Sequence, residues 1–237
     1  MKNTNLPVIA FDADDTLWPN EPYFREAEKD MMKILTPYFR GGDLMEHLYQ
    51  QEIKNLHIFG YGAKGFTLSM IESAIELSEG TIPGSEIQKI IDLGKQIMTY
   101  PIELLEGVED TLITLREHRL VLITKGDLFD QESKIARSGL ANHFDAVEIV
   151  SEKDDETYEK LLKRHKIKPE NFWMIGNSLK SDVLPIARIG GTGVHIPYES
   201  TWQHEQVTTD AAMKETYHEL SSIRELPSLI AKVCDSK

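Results

Sequence analysis

Three aspartates, Asp12, Asp14 and Asp15, stand within four positions near the start of the chain. They directly follow the apolar run Val8–Phe11, and apolar residues come after them as well. A short apolar run of this kind predicts a buried strand, so the carboxylates stand where the strand ends. Crowded carboxylates repel one another and resist burial, so a cation or a strong hydrogen-bond network must hold them. This stretch is therefore a candidate active site.

Three other interpretations compete with an active site. An acidic turn can simply be solvated, although the apolar residues on both sides of this one argue against that. A calcium loop needs a glycine at its sixth position and an acidic residue at its twelfth, where this chain has Leu17 and Tyr23. The D-x-D pattern of metal-dependent sugar transferases stays open, but no other stretch of the chain supports it.

Composition excludes several classes of protein. The chain has 237 residues, enough for one domain or for a domain with a large insertion. A formal net charge of -13 without a basic face argues against a nucleic-acid partner. The single cysteine, Cys234, excludes an internal disulfide and a cysteine-based zinc site. Because there is no apolar run of membrane-spanning length and Met1–Pro7 shows no signal peptide, we expect a cytoplasmic protein without a membrane partner.

The segment 19–103 shows one helical pattern after another and no strand signal. Apolar residues recur there at spacings of three and four, which predicts a bundle of about four helices. Asp43 can cap the second of these helices. The expected breaks fall at glycines, namely Gly41–Gly42, the group Gly60, Gly62 and Gly65, and Gly80.

From Leu104 onward, helical stretches alternate with short apolar runs. This alternation predicts an α/β fold, a doubly wound parallel sheet with helices on both faces. The predicted helices are Val108–Glu117, Gln131–Gly139, Thr157–His165 and Ser181–Ile189. The predicted strands after the first are Leu120–Thr124, Ala146–Val150, Phe172–Ile175 and Gly193–Ile196.

Polar residues follow each of the first four predicted strands. Because ligands bind beyond the carboxyl ends of parallel strands, these residues are expected to share one site. The aspartates follow the first strand, Thr124-Lys125-Gly126-Asp127 the second, Lys153 the third and Asn177–Asp182 the fourth. Taken singly, each stretch could be a turn, a solvated charge or a helix cap. Their order along the chain favours a site for magnesium and phosphate.

At this point the sequence resembles a known family. The stretches D-A-D-D-T-L, L-I-T-K-G and G-N-S-L-K-S-D, together with Lys153, are similar to the four motifs of the haloacid dehalogenase-like hydrolase superfamily. The resemblance implies a Rossmann-like core domain formed by residues 1–18 and 104–237. It also implies that 19–103 form a helical cap domain, inserted between the first and second motifs.

The resemblance implies a role for three aspartates. Asp12 would be the nucleophile that forms an aspartyl-phosphate, and Asp14 would be the general acid and base. Mg²⁺ would bind the Asp12 carboxylate, the Asp14 backbone carbonyl and Asp182. Asp15 is the variable position of the motif and is expected to be solvated.

The remaining motif residues would handle the phosphate. Thr124, Lys125 and Gly126 would bind phosphoryl oxygens, and Lys153 would neutralise charge on both nucleophile and phosphate. Two residues depart from the usual motifs. Lys125 replaces an asparagine, and its charge either lies near the phosphate or turns to solvent. Asn177 replaces an aspartate and is expected beside the metal ligands rather than as a charged ligand.

The resemblance implies a magnesium-dependent hydrolase that takes a small phosphorylated metabolite. Displacement of halide needs no proton donor, so the presence of Asp14 favours phosphate-ester hydrolysis over dehalogenation. A phosphomutase, a nucleoside 5′-monophosphatase and a non-catalytic protein that binds a phosphorylated ligand are the alternatives. Sugar phosphates and phosphoglycolate are comparably plausible substrates.

Overall fold

The computed structural model describes residues 6–39, 41–200, 202–205 and 215–234. The prediction that the N-terminus shows no signal peptide concerns Met1–Asn5 among others, and these residues lie outside the described residues. The chain forms two compact units, and each combines stretches that are distant in the sequence. The first comprises Met1–Glu21, Ile102–Lys125 and Ser133–Lys237, and the second comprises Pro22–Pro101 and Gly126–Glu132. The short segment Gly126–Glu132 thus groups with the second unit, although the predicted boundaries assign it to the core domain.

The first unit contains a parallel sheet of six strands in the order β3-β2-β1-β4-β5-β6. This confirms the predicted fold class, and the predicted strands match within one residue at their ends. The sixth strand was not predicted, because two residues carry no periodic signal. The strands are β1 (Val8–Phe11), β2 (Leu120–Lys125), β3 (Ala146–Val150), β4 (Phe172–Gly176), β5 (Thr192–His195) and β6 (His218–Glu219).

The second unit is built mainly from four helices of the described residues. Asp43 caps the second of them as predicted, because its carboxylate accepts hydrogen bonds from the backbone N–H groups of Met45 and Glu46, each at 3.0 Å. Gly65 was expected to break the chain but lies inside the third helix. There a side chain would approach the backbone oxygen of Gly60 to 2.7 Å. The helices are α1 (Glu21–Leu35), α2 (Leu44–Phe59), α3 (Ala63–Leu77) and α4 (Gly84–Thr99).

Helices cover both faces of the sheet because its central strands are apolar on both sides. Ile9 and Phe11 of β1 pack into one core cluster, whereas Ala10 between them packs into another on the opposite face. The first cluster receives side chains from α5 (Val108–Thr114), α6 (Leu128–Ser138) and α9 (Leu226–Cys234). The second receives them from α7 (Asp155–His165) and α8 (Leu184–Arg188). Within the described residues, none of the helices is both long enough and apolar enough to cross a membrane.

The last predicted core helix begins differently from the expectation. Ser181–Ile189 was predicted as one α-helix, but Leu179–Val183 form a π-helical turn that leads into the short α8. In this turn the Val183 N–H donates to the Ser178 carbonyl at 3.3 Å. A π turn accommodates one residue more than an α-helical turn and is frequent at functional sites. We call Leu179–Val183 the π turn.

Candidate active site

The ends of β1 and β4 are tied together at the centre of the sheet. The backbone N–H of Asp12 donates to the carbonyl of Ile175 at 2.8 Å. The chain leaves β1 for β2 on one side and reaches β4 on the other, so the strand order reverses here. Such a reversal opens a crevice at the carboxyl ends of the strands, the usual ligand site of a doubly wound sheet. Asp12 stands at this crevice.

Lys153 connects two of the predicted aspartates. Its Nζ donates to Oδ1 of Asp12 and, at 2.7 Å, to Oδ1 of Asp182. Lys153 is 4% exposed and Asp182 is 0% exposed, so the alternative that Lys153 is merely a solvated charge does not hold. Two acids and one base are therefore buried together, at the ends of β1, β3 and β4.

The environment of this cluster shifts the pKa values of all three groups. Burial raises the pKa of Asp12, and the neighbouring Asp182 adds to the increase, whereas the Lys153 ammonium opposes it. Burial likewise raises the pKa of Asp182. For Lys153, burial alone would lower the pKa, but the charges of both carboxyl groups outweigh it and raise the pKa. The cluster thus favours a cation between the two carboxyl groups.

Thr16 joins the first motif to the fourth. Its hydroxyl lies 3.1 Å from Oδ2 of Asp12 and 3.2 Å from Oδ1 of Asn177, and it accepts the Asn177 backbone N–H at 3.1 Å. The fourth motif also orients its own acid, because the Ser178 N–H donates to Oδ2 of Asp182 at 3.1 Å. Asn177 is therefore linked to Asp12 through Thr16. It is a neutral residue near the two acids.

Gly176 leaves room for the Asp182 carboxylate. A Cβ atom at Gly176 would lie 2.2 Å from Oδ2 of Asp182, which no side chain tolerates. The π turn places Asp182 directly over this glycine. Glycine at the end of β4 is thus a requirement for the position of the acid.

Asp14 has different neighbours from Asp12. Its Oδ1 accepts a hydrogen bond from Nε1 of Trp18 at 2.8 Å, and the Nζ of Lys134 lies 3.1 and 3.0 Å from its two carboxylate oxygens. Lys134 also donates to the side-chain oxygen of Asn20 at 2.7 Å. Lys134 was missed in the sequence. The signal for it is a lysine beside Ile135 on the apolar face of a helix, where a charge needs a partner.

Asp15 is not solvated, and that expectation is wrong. It is buried, and its carboxylate accepts the backbone N–H groups of Asn20 at 2.7 Å and of Glu21 at 3.0 Å. Its backbone has a φ of 60°, a conformation that aspartate tolerates better than most residues. This conformation turns the side chain towards the start of α1, where it binds the unpaired N–H groups of the first turn.

The second motif offers one hydroxyl and one paired lysine. The Thr124 hydroxyl is buried and has no hydrogen-bond partner among the described residues. The Lys125 ammonium contacts Glu205 at 2.6 Å, the Ser181 hydroxyl at 3.2 Å and Glu152 at 3.4 Å. Lys125 therefore does not turn to solvent, and its part in phosphate binding stays a prediction. Gly126 follows with a φ of 146°, which suits glycine alone.

Glu205 links the second motif to the fourth, a contact that no sequence pattern predicts. Besides Lys125, its carboxylate accepts hydrogen bonds from the hydroxyls of Ser178 and Ser181, each at 2.5 Å. Burial alone would raise the pKa of Glu205. The Lys125 charge and these hydrogen bonds outweigh burial and lower the pKa to about 2.

The donor set at the cluster is consistent with a magnesium site. Within the described part of the chain, no three His, Cys, Asp or Glu side chains converge on one point. Two carboxylates, those of Asp12 and Asp182, do converge on one cation, the Lys153 ammonium. The resemblance adds the backbone carbonyl of Asp14, and carboxylate and carbonyl oxygens are hard donors of the kind that Mg²⁺ prefers. The residues present therefore fit the ion.

Comparisons with known proteins indicate the family of the chain. A model of haloacid dehalogenase-like hydrolases matches residues 6–190. The crystal structure of a haloacid dehalogenase-like family hydrolase from Xanthomonas campestris is 40% identical, with a TM-score of 0.86 over 100% of this chain and 98% of that one.

Two curated relatives are more distant. N-acylneuraminate-9-phosphatase of Rattus norvegicus is 24% identical over 97% of this chain and 96% of its own length. Glyceraldehyde 3-phosphate phosphatase of Methanopyrus kandleri is 23% identical over 81% of this chain and 84% of its own. Because the family model covers most of the chain and the 40% identity extends over all of it, the chain belongs to the haloacid dehalogenase-like hydrolases.

Proposed function

We propose that the chain is a magnesium-dependent hydrolase of small-molecule phosphate monoesters that acts through an aspartyl-phosphate on Asp12. The observation that carries the proposal is the carboxylate of Asp14. It stands two residues after Asp12, and Lys153 bridges Asp12 to Asp182. Departure of an alkoxide from phosphorus needs a proton donor, whereas departure of a halide does not. Asp14 therefore favours phosphate esters over haloacids.

Two steps follow from these residues. A carboxylate oxygen of Asp12 attacks phosphorus, the bond from phosphorus to the leaving oxygen breaks, and Asp14 gives its proton to that oxygen. The alcohol leaves. The Asp14 carboxylate then takes a proton from water, the water oxygen attacks phosphorus, and the bond between Asp12 and phosphorus breaks. Inorganic phosphate and the original carboxylate are the products.

Thr124 and Lys153 favour a phosphoryl group at this place. A buried hydroxyl without a partner costs about 1–3 kcal/mol, which a phosphoryl oxygen accepting from Thr124 would recover. Lys153 supplies a positive charge next to the nucleophile. Asp12, Asp182 and the Asp14 carbonyl would hold Mg²⁺, which when bound offsets the repulsion between the anionic nucleophile and an anionic substrate.

The names of the two curated relatives, N-acylneuraminate-9-phosphatase and glyceraldehyde 3-phosphate phosphatase, support a substrate class. We propose a small phosphorylated metabolite of this kind, and we propose that the second unit is a cap domain. The test panel therefore includes N-acylneuraminate 9-phosphate and glyceraldehyde 3-phosphate, besides nucleoside 5′-monophosphates, phosphoglycolate and p-nitrophenyl phosphate.

Phosphate release from this panel, with magnesium chloride or with EDTA, tests the proposal. We expect turnover with magnesium, loss of turnover in Asp12→Asn, and wild-type turnover in the matched control Asp110→Asn, an exposed acid on α5. Turnover that survives in Asp12→Asn would refute the mechanism. Halide release from 2-chloropropionate would show a dehalogenase. Transfer of phosphate between two sugar positions would show a mutase, and tight binding of the esters without turnover a non-catalytic protein.

A further inference from the structure

Lys134 is a buried cation that no family motif in this sequence accounts for. It lies on α6 and is 5% exposed. The adjacent Ile135 packs into the same core cluster as Phe11. Lysine is rarely buried unless it is paired, because removing its charge from water costs several kcal/mol. Its place in the fold must therefore be stabilised by specific partners.

Those partners lie at the first motif. Lys134 contacts both carboxylate oxygens of Asp14, at 3.0 and 3.1 Å, and the side-chain oxygen of Asn20 at 2.7 Å. Trp18 donates to the same Asp14 carboxylate at 2.8 Å. Donors from two separate elements, α6 and the segment between β1 and α1, thus fix the side-chain torsions of Asp14. The contact spans 120 positions of sequence.

We propose that Lys134 is the positioning residue of Asp14 and thereby sets the rate of proton delivery to the leaving oxygen. This rests on the proposed function, in which Asp14 is the acid and base. In the resting enzyme Lys134 and Trp18 hold the carboxyl group in one orientation beside Asp12. When a substrate is bound, the carboxyl group exchanges one of these donors for the leaving oxygen. Displacement of a catalytic group by about 1 Å can cost about 100-fold in rate, so this anchoring matters.

The proposal separates proton delivery from phosphoryl binding. Lys134 pairs with Asp14, whereas the cation that pairs with Asp12 and Asp182 is Lys153. The proposal therefore assigns the effect of Lys134 on the rate to Asp14. Replacement of Lys134 should therefore lower the rate most for esters with a poor leaving group, whose oxygen needs a proton. An ester such as p-nitrophenyl phosphate, whose leaving group departs with little protonation, is affected least.

Steady-state kinetics of Lys134→Met on two substrates test this separation. The substrates are p-nitrophenyl phosphate and the alkyl phosphate of the panel with the highest wild-type turnover. We expect kcat for the alkyl phosphate to fall roughly 10- to 100-fold with KM unchanged, within the contribution of a general acid, and kcat for p-nitrophenyl phosphate to fall about twofold at most. Lys134→Arg should recover most of the alkyl phosphate rate, and Arg137→Met, an exposed base on the same helix, should match wild type.

A double-mutant cycle distinguishes a role through Asp14 from a purely structural role, because it measures whether the effect of Lys134→Met on the rate depends on Asp14. In the Asp14→Asn background, Lys134→Met should lower the residual rate by about twofold at most, because the group through which it acts is gone. If Lys134→Met does not fold, Trp18→Phe removes the other donor to Asp14 and should give the same dependence on the leaving group.

Two results would overturn the proposal. One is an equal loss on both substrates, which would assign Lys134 to folding or to phosphoryl binding. The other is a full additional loss in the Asp14→Asn background. Either result leaves the proposed function intact as long as wild type releases phosphate and Asp12→Asn does not. Absence of phosphate release from the wild type would overturn both.

Discussion

Replacement of Glu205 by glutamine removes a charge that connects the second and fourth motifs. The carboxylate accepts hydrogen bonds from Lys125, Ser178 and Ser181, and together they lower its pKa from 4.5 to about 2. By linkage, a shift of this size corresponds to roughly 3 kcal/mol of folding free energy at neutral pH. We therefore expect Glu205→Gln to lower the free energy of unfolding by about that amount at pH 7.

The sign of the pH dependence follows from the direction of the shift. A carboxyl group whose pKa is lower in the folded state contributes stability above its unfolded pKa of 4.5, and the contribution is lost as the pH falls towards 2. The difference in unfolding free energy between wild type and Glu205→Gln should therefore be constant from pH 7 to about pH 5.5. It should shrink by roughly 1 kcal/mol at pH 4 and by about half near pH 3.

Urea unfolding followed by far-UV circular dichroism, repeated across this pH range, measures that difference. Glu199→Gln is the matched control, because Glu199 is an exposed acid on the same stretch of chain. It should match wild type at every pH. A difference between wild type and Glu205→Gln that is independent of pH, or one that Glu199→Gln reproduces, would refute the reasoning.

Three further substitutions probe the Asp12 cluster and the second motif. Lys153→Met leaves two buried carboxyl groups without their cation, so thermal unfolding should show a loss of about 3–5 kcal/mol. Magnesium chloride should then raise the melting temperature more than in wild type, and an equal rise in both would contradict the shared site. Gly176→Ala puts a Cβ atom 2.2 Å from Asp182. We expect calorimetry to show magnesium affinity lower by roughly 10- to 100-fold with an unchanged circular dichroism spectrum. Thr124→Val removes a buried hydroxyl that has no partner among the described residues, so stability should stay the same or rise by about 1 kcal/mol while inhibition by inorganic phosphate weakens. A large loss of stability would show that the hydroxyl has a structural partner.

The sequence was sufficient wherever the signal is local. Continuous apolar runs predicted the five longer strands, because strands that are buried on both faces need apolar side chains throughout. Asp43 was recognisable as a cap because capping depends only on the next three residues. The polar ends of the strands predicted that Asp12, Lys153 and Asp182 meet, because parallel strands present their carboxyl ends at one edge.

Contacts between distant positions were not predictable in this way. Lys134 reaches Asp14 across 120 positions and Glu205 reaches Lys125 across 80, and only the packed fold decides such pairs. Asp15 was misjudged for a different reason. Its direction depends on a left-handed backbone conformation that periodicity does not reveal.

Asp182 lies within the π turn, so the number of residues between Gly176 and Asp182 determines the direction of the Asp182 side chain. Each residue added to or removed from a helical turn rotates the following side chains by about 100°. A deletion that restored a regular α-helix would therefore turn Asp182 away from Lys153, although every residue of the motif would still be present. Homologous chains should consequently be aligned here by the position of the closing aspartate and not by the glycine. Apart from Ser181 and Asp182, substitutions in the π turn are expected to be tolerated during evolution far more often than insertions or deletions.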